Sequence, residues 1–174
     1  MKAMLLTADQ FEDSELLLPY ERLTQEGVDV DIVAPAKGRI RGKRGHEIEA
    51  DVAAADARPE EYDLLIIPGG RAPEELNRHP ATARVVDSFL AQRKPVAAIC
   101  HGPLVLARPH LLAHRTVTGH GSIAERLRAA GAHYEDREVV VDENLVTSRV
   151  PADLPAFMRE VINLVRGLRK APRP

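Results

Sequence analysis

Tryptophan is absent, aromatic residues make up only 3% of the 174 positions, and there is one cysteine, Cys100. A lone cysteine excludes an intrachain disulfide and any multi-cysteine metal site, and it fits a reducing, intracellular setting. An excess of charge of one sign is also missing. Lys plus Arg number 24 against 26 Asp plus Glu, for a net charge of −2. That balance gives no support to a nucleic-acid binder driven by a basic field. Long hydrophobic runs are missing too. The longest, Val96 to Cys100, falls far short of the ~18 apolar residues that a membrane span requires. The N-terminus is basic and then apolar, but it meets Asp9, Glu12 and Asp13 before a signal-peptide core is complete. The expected address is the cytoplasm, with no membrane partner.

What is present is a globular composition, 44% hydrophobic and 29% charged. The length suits a single domain, taken as residues 1–170 with a disordered tail at 171–174. Strand and helix patterns alternate along it. Ala3–Leu6, Tyr62–Ile67 and Pro95–Ile99 read as buried strands, and Val28–Ala34 as an alternating one. Glu15–Glu26, Pro80–Gln92, Ser122–Ala130 and Asp153–Leu168 read as helices, with the first carrying its apolar face on Leu16, Leu17, Tyr20 and Leu23. Gly38–Glu49 reads as a hairpin, and Val139–Val141 with Leu145–Thr147 as two strands joined at Asp142-Glu143-Asn144. Repeated strand–helix units predict an α/β sandwich with a mostly parallel sheet covered on both faces.

Open parallel sheets build sites at the carboxyl ends of their strands. Three such ends are unusual here: Asp9-Gln10-Phe11-Glu12-Asp13, Pro68-Gly69-Gly70, and Ile99-Cys100-His101-Gly102-Pro103. Cys100 falls where a strand turns into a helix, the geometry of a nucleophile elbow. A helix N-terminus there predicts a lowered thiol pKa. His101 is placed to accept the thiol proton or to hold a partner carboxylate, and its backbone N–H to stabilise an oxyanion. A desolvated carboxyl near the thiol is expected from the first loop. Spacing alone leaves Glu12, Asp9, Asp13 and Glu15 as candidates. Gly69-Gly70 permits close backbone approach but is too short for a dinucleotide fingerprint. His110, His114 and His120 lack an acid or thiol spaced to join them, so packing is preferred over metal binding. Lys37, Arg39, Arg41, Lys43 and Arg44 form a basic run without an aromatic to stack on bases, which favours a solvated hairpin over phosphate binding.

Ala98-Ile99-Cys100-His101-Gly102-Pro103 resembles the nucleophile elbow of the ThiJ/PfpI family. Leu5–Ala8 with Phe11-Glu12-Asp13, Pro68–Glu74, Val139–Asp142 and Ser148–Leu154 extend the resemblance over residues 2–168. It implies a flavodoxin-like sandwich related to class I glutamine amidotransferases, with Cys100 as nucleophile and Glu12 as the carboxyl touching it. It implies an oxyanion hole from the N–H groups of Gly70 and His101. It further implies that Glu74 reaches His101 from a neighbouring subunit of a homo-oligomer, a dimer or a hexamer. No cofactor and no metal are expected. The implied activities are an intracellular peptidase-type hydrolase or, as the alternative, a glyoxalase or protein deglycase acting on methylglyoxal or its adducts. The substrate is then a peptide or a small aldehyde. A noncatalytic stress chaperone or thiol-oxidation sensor is the competing class. Two departures stand out. Thr118-Gly119-His120-Gly121 replaces a Thr-Ser-Tyr-Pro stretch, and Arg149-Val150-Pro151 stands where amidotransferases carry a His-Pro-Glu, which argues against glutamine hydrolysis.

Overall fold

The computed structural model describes residues 1–170, so the tail assigned to 171–174 lies outside the described residues. Eleven strands occur in chain order: β1 (Lys2–Leu6), β2 (Asp29–Ala34), β3 (Gly38–Arg41), β4 (Glu47–Ala50), β5 (Val52–Ala53), β6 (Leu64–Ile67), β7 (Val96–Ile99), β8 (Thr116–Val117), β9 (His133–Tyr134), β10 (Val140–Asp142) and β11 (Leu145–Ser148). Six α-helices accompany them: α1 (Asp13–Gln25), α2 (Ala72–Leu76), α3 (Pro80–Ala91), α4 (Pro109–Leu112), α5 (Ala124–Ala129) and α6 (Leu154–Lys170). Seven strands form one sheet in the order β10-β11-β7-β6-β1-β2-β5. All its pairings are parallel except the β10–β11 hairpin. The expected α/β sandwich with a mostly parallel sheet is therefore the fold.

Consecutive strand residues point to opposite faces. Every residue of β6, β7 and β11 is nonetheless buried, so both faces of the sheet centre are covered. This is why Leu64–Ile67 and Val96–Ile99 read as unbroken apolar runs rather than as alternations. Helices α1 and α6 touch one another, while α2, α3 and α5 gather around a 3-10 segment at Gly102–Leu106. The three unusual strand ends belong to β1, β6 and β7, which are adjacent in the sheet. The topology thus brings them together at the carboxyl end of the central strands of the open sheet.

The pieces that sequence periodicity did not resolve are short. Strand β5 has two residues, α2 five and α4 four, too few to show a period. The expected Ser122–Ala130 helix begins as a 3-10 turn at Gly121–Ile123 before α5. The segment after Cys100 is a five-residue 3-10 helix, Gly102–Leu106, not an extended α-helix. The Gly38–Glu49 hairpin is present as β3–β4. Its tip is tied back to α1 by Asp13, whose carboxylate accepts the N–H groups of Arg44 and His46, each at 3.0 Å. Asp13 therefore holds the hairpin over the strand ends. Asp13→Ala is expected to cost about 2 kcal/mol, the scale of hydrogen bonds to a charged acceptor. A shift in urea midpoint, with amide exchange accelerated first at residues 42–46, checks it; unchanged exchange there would contradict it.

Candidate active site

Cys100 has a φ of 62°, the left-handed region that non-glycine residues rarely adopt. Two bonds fix it there. Its N–H donates to the Ser148 carbonyl at 3.0 Å, and its carbonyl accepts from the His120 N–H at 2.8 Å. Backbone held in this way stores strain on the order of 1–3 kcal/mol and aims the side chain above the sheet. The sulfur is almost enclosed, with Cys100 7% exposed.

The N–H groups of Gly70 and His101 both donate toward that sulfur. Their convergence depends on glycine at two positions. A Cβ on Gly69 would lie 2.6 Å from Glu15 Oε2 and 2.8 Å from Cys100 Cβ. Gly70 has a φ of +83°, and a Cβ there would lie 2.4 Å from the Gln10 carbonyl oxygen. The Pro68-Gly69-Gly70 turn is thus a close approach of backbone to nucleophile. Two donors converging on one point make an anion site of the oxyanion-hole type.

A carboxyl does touch the sulfur, and it is Glu15 rather than Glu12. Glu15 is fully buried in the first turn of α1; its Oε2 accepts the Gly69 N–H at 2.8 Å, its Oε1 has no hydrogen-bond partner among the described residues, and its carboxyl lies close enough to Cys100 for its charge to raise the thiol. Glu12 points the other way, into ion pairs with Lys43 Nζ at 3.3 Å and Arg44 Nε at 3.0 Å. The physical reason is the pitch of α1. Glu15, Leu16, Pro19 and Leu23 form one buried stripe, so position 15 faces the sheet, while Glu12, buried at the N-cap position without a side-chain cap bond, turns to the β3–β4 hairpin. The expected face, Leu16, Leu17, Tyr20 and Leu23, is rotated from the observed one. A glutamate in register with Pro19 and Leu23 was the available signal for Glu15.

His101 places Nδ1 3.2 Å from Cys100 Sγ and Nε2 3.1 Å from Ser122 Oγ. His120 stacks on it with ring centroids 4.3 Å apart. Glu74 sits exposed on α2 and pairs with Arg126 at 2.6 Å; within the chain it makes no hydrogen bond to His101. His110 pairs with Asp87. Among the described residues no group of three or more His, Cys, Asp and Glu is arranged to hold a metal ion, and no helix is long and apolar enough to cross a membrane.

A profile of the DJ-1/PfpI family matches residues 1–164. The chain belongs to the DJ-1/PfpI family. Among relatives, the deglycase PfpI of Pyrococcus furiosus is 42% identical over 166 residues, which cover 95% of this chain and all of that one. A deglycase of Pyrococcus horikoshii is 43% identical with the same coverage. A Bacillus subtilis protein whose name assigns it provisionally to the cysteine proteases is 41% identical, over 95% of this chain and 98% of its own. Of solved structures, a two-domain Anabaena variabilis protein with DJ-1/ThiJ/PfpI-like and ferritin-like domains superposes with a TM-score of 0.92 at 38% identity. That match covers 94% of this chain and 48% of the larger protein, so the chain spans about half its length. Schizosaccharomyces pombe DJ-1 gives a TM-score of 0.85 at 26% identity, covering 99% and 93% of the two chains.

Within this DJ-1/PfpI fold the titrations of the two touching acids are linked. Burial, first, and the Glu12 charge push the Glu15 carboxyl up to about 7, against the pull of the Gly69 N–H. Burial, first, and then the Glu15 charge push the Cys100 thiol up to about 12. The expected lowering of the thiol by a helix N-terminus is not found, because the following helix is a short 3-10 segment and desolvation outweighs it. The pair therefore loses one proton near neutrality and resists losing the second. The singly ionised pair is the Glu15 carboxylate beside the Cys100 thiol. Burial, and then His120, lower the His101 pKa, so His101 is a neutral acceptor at pH 7.

The Glu15 shift has a stability consequence. Its folded pKa lies above the unfolded one, so the native state binds the proton more tightly, and stability falls as pH rises from about 4.5 through about 7. At 1.36 kcal/mol per pKa unit the loss is about 3 kcal/mol. Glu15→Gln should therefore be the more stable protein at pH 8 and equal to the parent near pH 4.5, by urea unfolding. An identical gap at both pH values would contradict the assignment. Glu12→Gln should leave the rate of Cys100 alkylation unchanged within about twofold, since the Glu12 carboxylate is turned to Lys43 and Arg44 and reaches the sulfur only through its smaller effect on Glu15.

Proposed function

We propose that the chain is a cysteine-dependent deglycase, removing α-oxoaldehyde adducts from amines and thiols. The observation that carries it is the Cys100–Glu15 pair: a nucleophile facing two N–H donors, touched by a carboxyl that titrates at about 7. Such a carboxyl can both give and take a proton at working pH.

The reaction closes without an external oxidant. Cys100 sulfur attacks the adduct carbon that carries nitrogen or sulfur, the S–C bond forms, and the C–N or C–S bond to the modified group breaks. The thiol proton leaves with that amine or thiol. The resulting S–CH(OH)–C(O)–R hemithioacetal isomerises to the S–C(O)–CH(OH)–R thioester. One carbon is oxidised and its neighbour reduced by transfer of a proton between them, and Glu15 is the group placed to move it. The N–H groups of Gly70 and His101 hold the negative charge on oxygen. Water then cleaves the thioester, releasing a 2-hydroxy acid and restoring the thiol.

Deglycase is preferred over the peptidase-type hydrolase because four archaeal relatives at 42–43% identity carry that name, against one relative assigned to the proteases. Moving a proton between neighbouring carbons asks for a group that gives and takes one near neutral pH, which a carboxyl pushed up to about 7 can do. The test is one panel on pure protein. Methylglyoxal-treated N-acetylcysteine and N-acetylarginine should yield lactate. Cys100→Ser should abolish this while keeping the parent circular dichroism, and a fluorogenic peptide should stay uncleaved. Peptide cleavage dependent on Cys100, without lactate, would replace this reading with the hydrolase.

A further inference from the structure

His101 is oriented by groups that the reaction above does not use. Ser122 donates its backbone N–H to His120 Nδ1 at 3.2 Å. A backbone amide can only donate, so His120 Nδ1 is an acceptor. Ser122 Oγ also lies 2.7 Å from that same nitrogen, so the hydroxyl donates its only proton there. Its oxygen is then left to accept, and His101 Nε2, 3.1 Å away, must carry the hydrogen. A neutral imidazole holds one ring hydrogen. His101 Nδ1 is consequently a bare lone pair, and it stands 3.2 Å from the Cys100 sulfur.

We propose that Ser122 and His120 are positioning residues for the nucleophile, a hydroxyl-bridged imidazole pair that fixes the tautomer of His101 so that Nδ1 accepts the Cys100 proton. The role is the one a carboxylate plays in an acid–histidine pair, performed by a hydroxyl. The stacked His120 ring holds the His101 plane, and its own position is set by the elbow, because the His120 N–H donates to the Cys100 carbonyl at 2.8 Å. The loop is braced behind by Thr118 N–H on Thr147 Oγ1 at 2.9 Å and Tyr134 O–H on the Gly119 carbonyl at 2.9 Å. The proton count balances. The thiol proton moves to His101 Nδ1, giving an imidazolium that donates from Nε2 to Ser122 Oγ. The proton returns from Nδ1 to the departing amine or thiol, restoring the tautomer. The charged and titratable groups facing His101 are Cys100, His120, Lys43 from the β3–β4 turn and Glu74 from α2. Lys43 and His120 both oppose a standing positive charge on His101, so the imidazolium is a passing state.

This inference rests on Cys100 being the nucleophile, but its test does not rest on the substrate. With one cysteine in the chain, iodoacetamide reports Cys100 alone. Ring-nitrogen correlation spectra of the histidines at pH 7.5 should show His101 protonated on Nε2 and bare on Nδ1, with His120 bare on Nδ1. Ser122→Ala should return His101 to mixed tautomers and slow alkylation about fivefold, the worth of one neutral hydrogen bond. Ser122→Thr should restore both readouts. His120→Phe, which keeps the stack and removes the acceptor, should resemble Ser122→Ala. A His101 bare on Nε2 in the parent, or a tautomer unmoved in Ser122→Ala, would overturn the proposal. If Glu74→Ala moves the His101 tautomer and Ser122→Ala does not, Glu74 from a second copy of the chain is the orienting group instead. Correct tautomers with no lactate in the panel would leave this inference standing and reject the deglycase reading.

Discussion

The site depends on one constraint: Cys100 must take a left-handed backbone, and the groups around it must come close enough to use the sulfur that this geometry lifts out of the sheet. A φ of 62° on a cysteine is tolerated because hydrogen bonds to Ser148 and His120 determine it from both sides. Glycine at 69 and 70 then lets β6's end approach within contact of the sulfur, where any side chain would collide. The placement of Glu15 follows, since its carboxyl is held by the Gly69 N–H that this approach exposes. Chemistry, strain and packing are here one arrangement. The sheet contributes rigidity, with β1, β6 and β7 adjacent and buried on both faces.

Burial gives the site its electrostatic character. In water a thiol and a carboxylic acid ionise more than four pKa units apart. Enclosed together they are both raised, and the first proton leaves near neutrality from Glu15, whose charge then holds the thiol up. The energy that folding spends on burying Glu15 is the source of a carboxyl poised near working pH. His101 is tuned in the opposite direction by the same cause, since burial disfavours its cation. An acid held up and a base held down around one sulfur is a division of roles set by environment rather than by residue type.

Much of this was legible in the residues. The strands β1, β6 and β7 announce themselves as apolar runs and β2 as an alternation, and the three unusual strand ends stand out in the residues themselves. Cys100, His101 and Gly70 converge as expected. The identity of the carboxyl was not legible by spacing, because Asp9, Glu12, Asp13 and Glu15 all precede or open α1, and first-turn acids ordinarily serve the helix dipole. The resemblance pointed to Glu12, and only the helix pitch separates it from Glu15. The tie between Ser122, His120 and His101 was hidden because it joins residues twenty apart through a 3-10 turn, an element too short to leave a period. The basic run reads correctly as a hairpin, yet Lys43 and Arg44 do more than meet solvent: they neutralise Glu12 at the rim of the site.

The chemistry of the site turns on Glu15 keeping its proton up to about pH 7 beside the Cys100 sulfur. Infrared difference spectroscopy between the parent and Glu15→Gln, taken across pH, reads that proton directly. A protonated-carboxyl stretch from Glu15 should persist past pH 6 and fade around pH 7. Its absence at pH 6, with Glu15 already a carboxylate, would contradict the account.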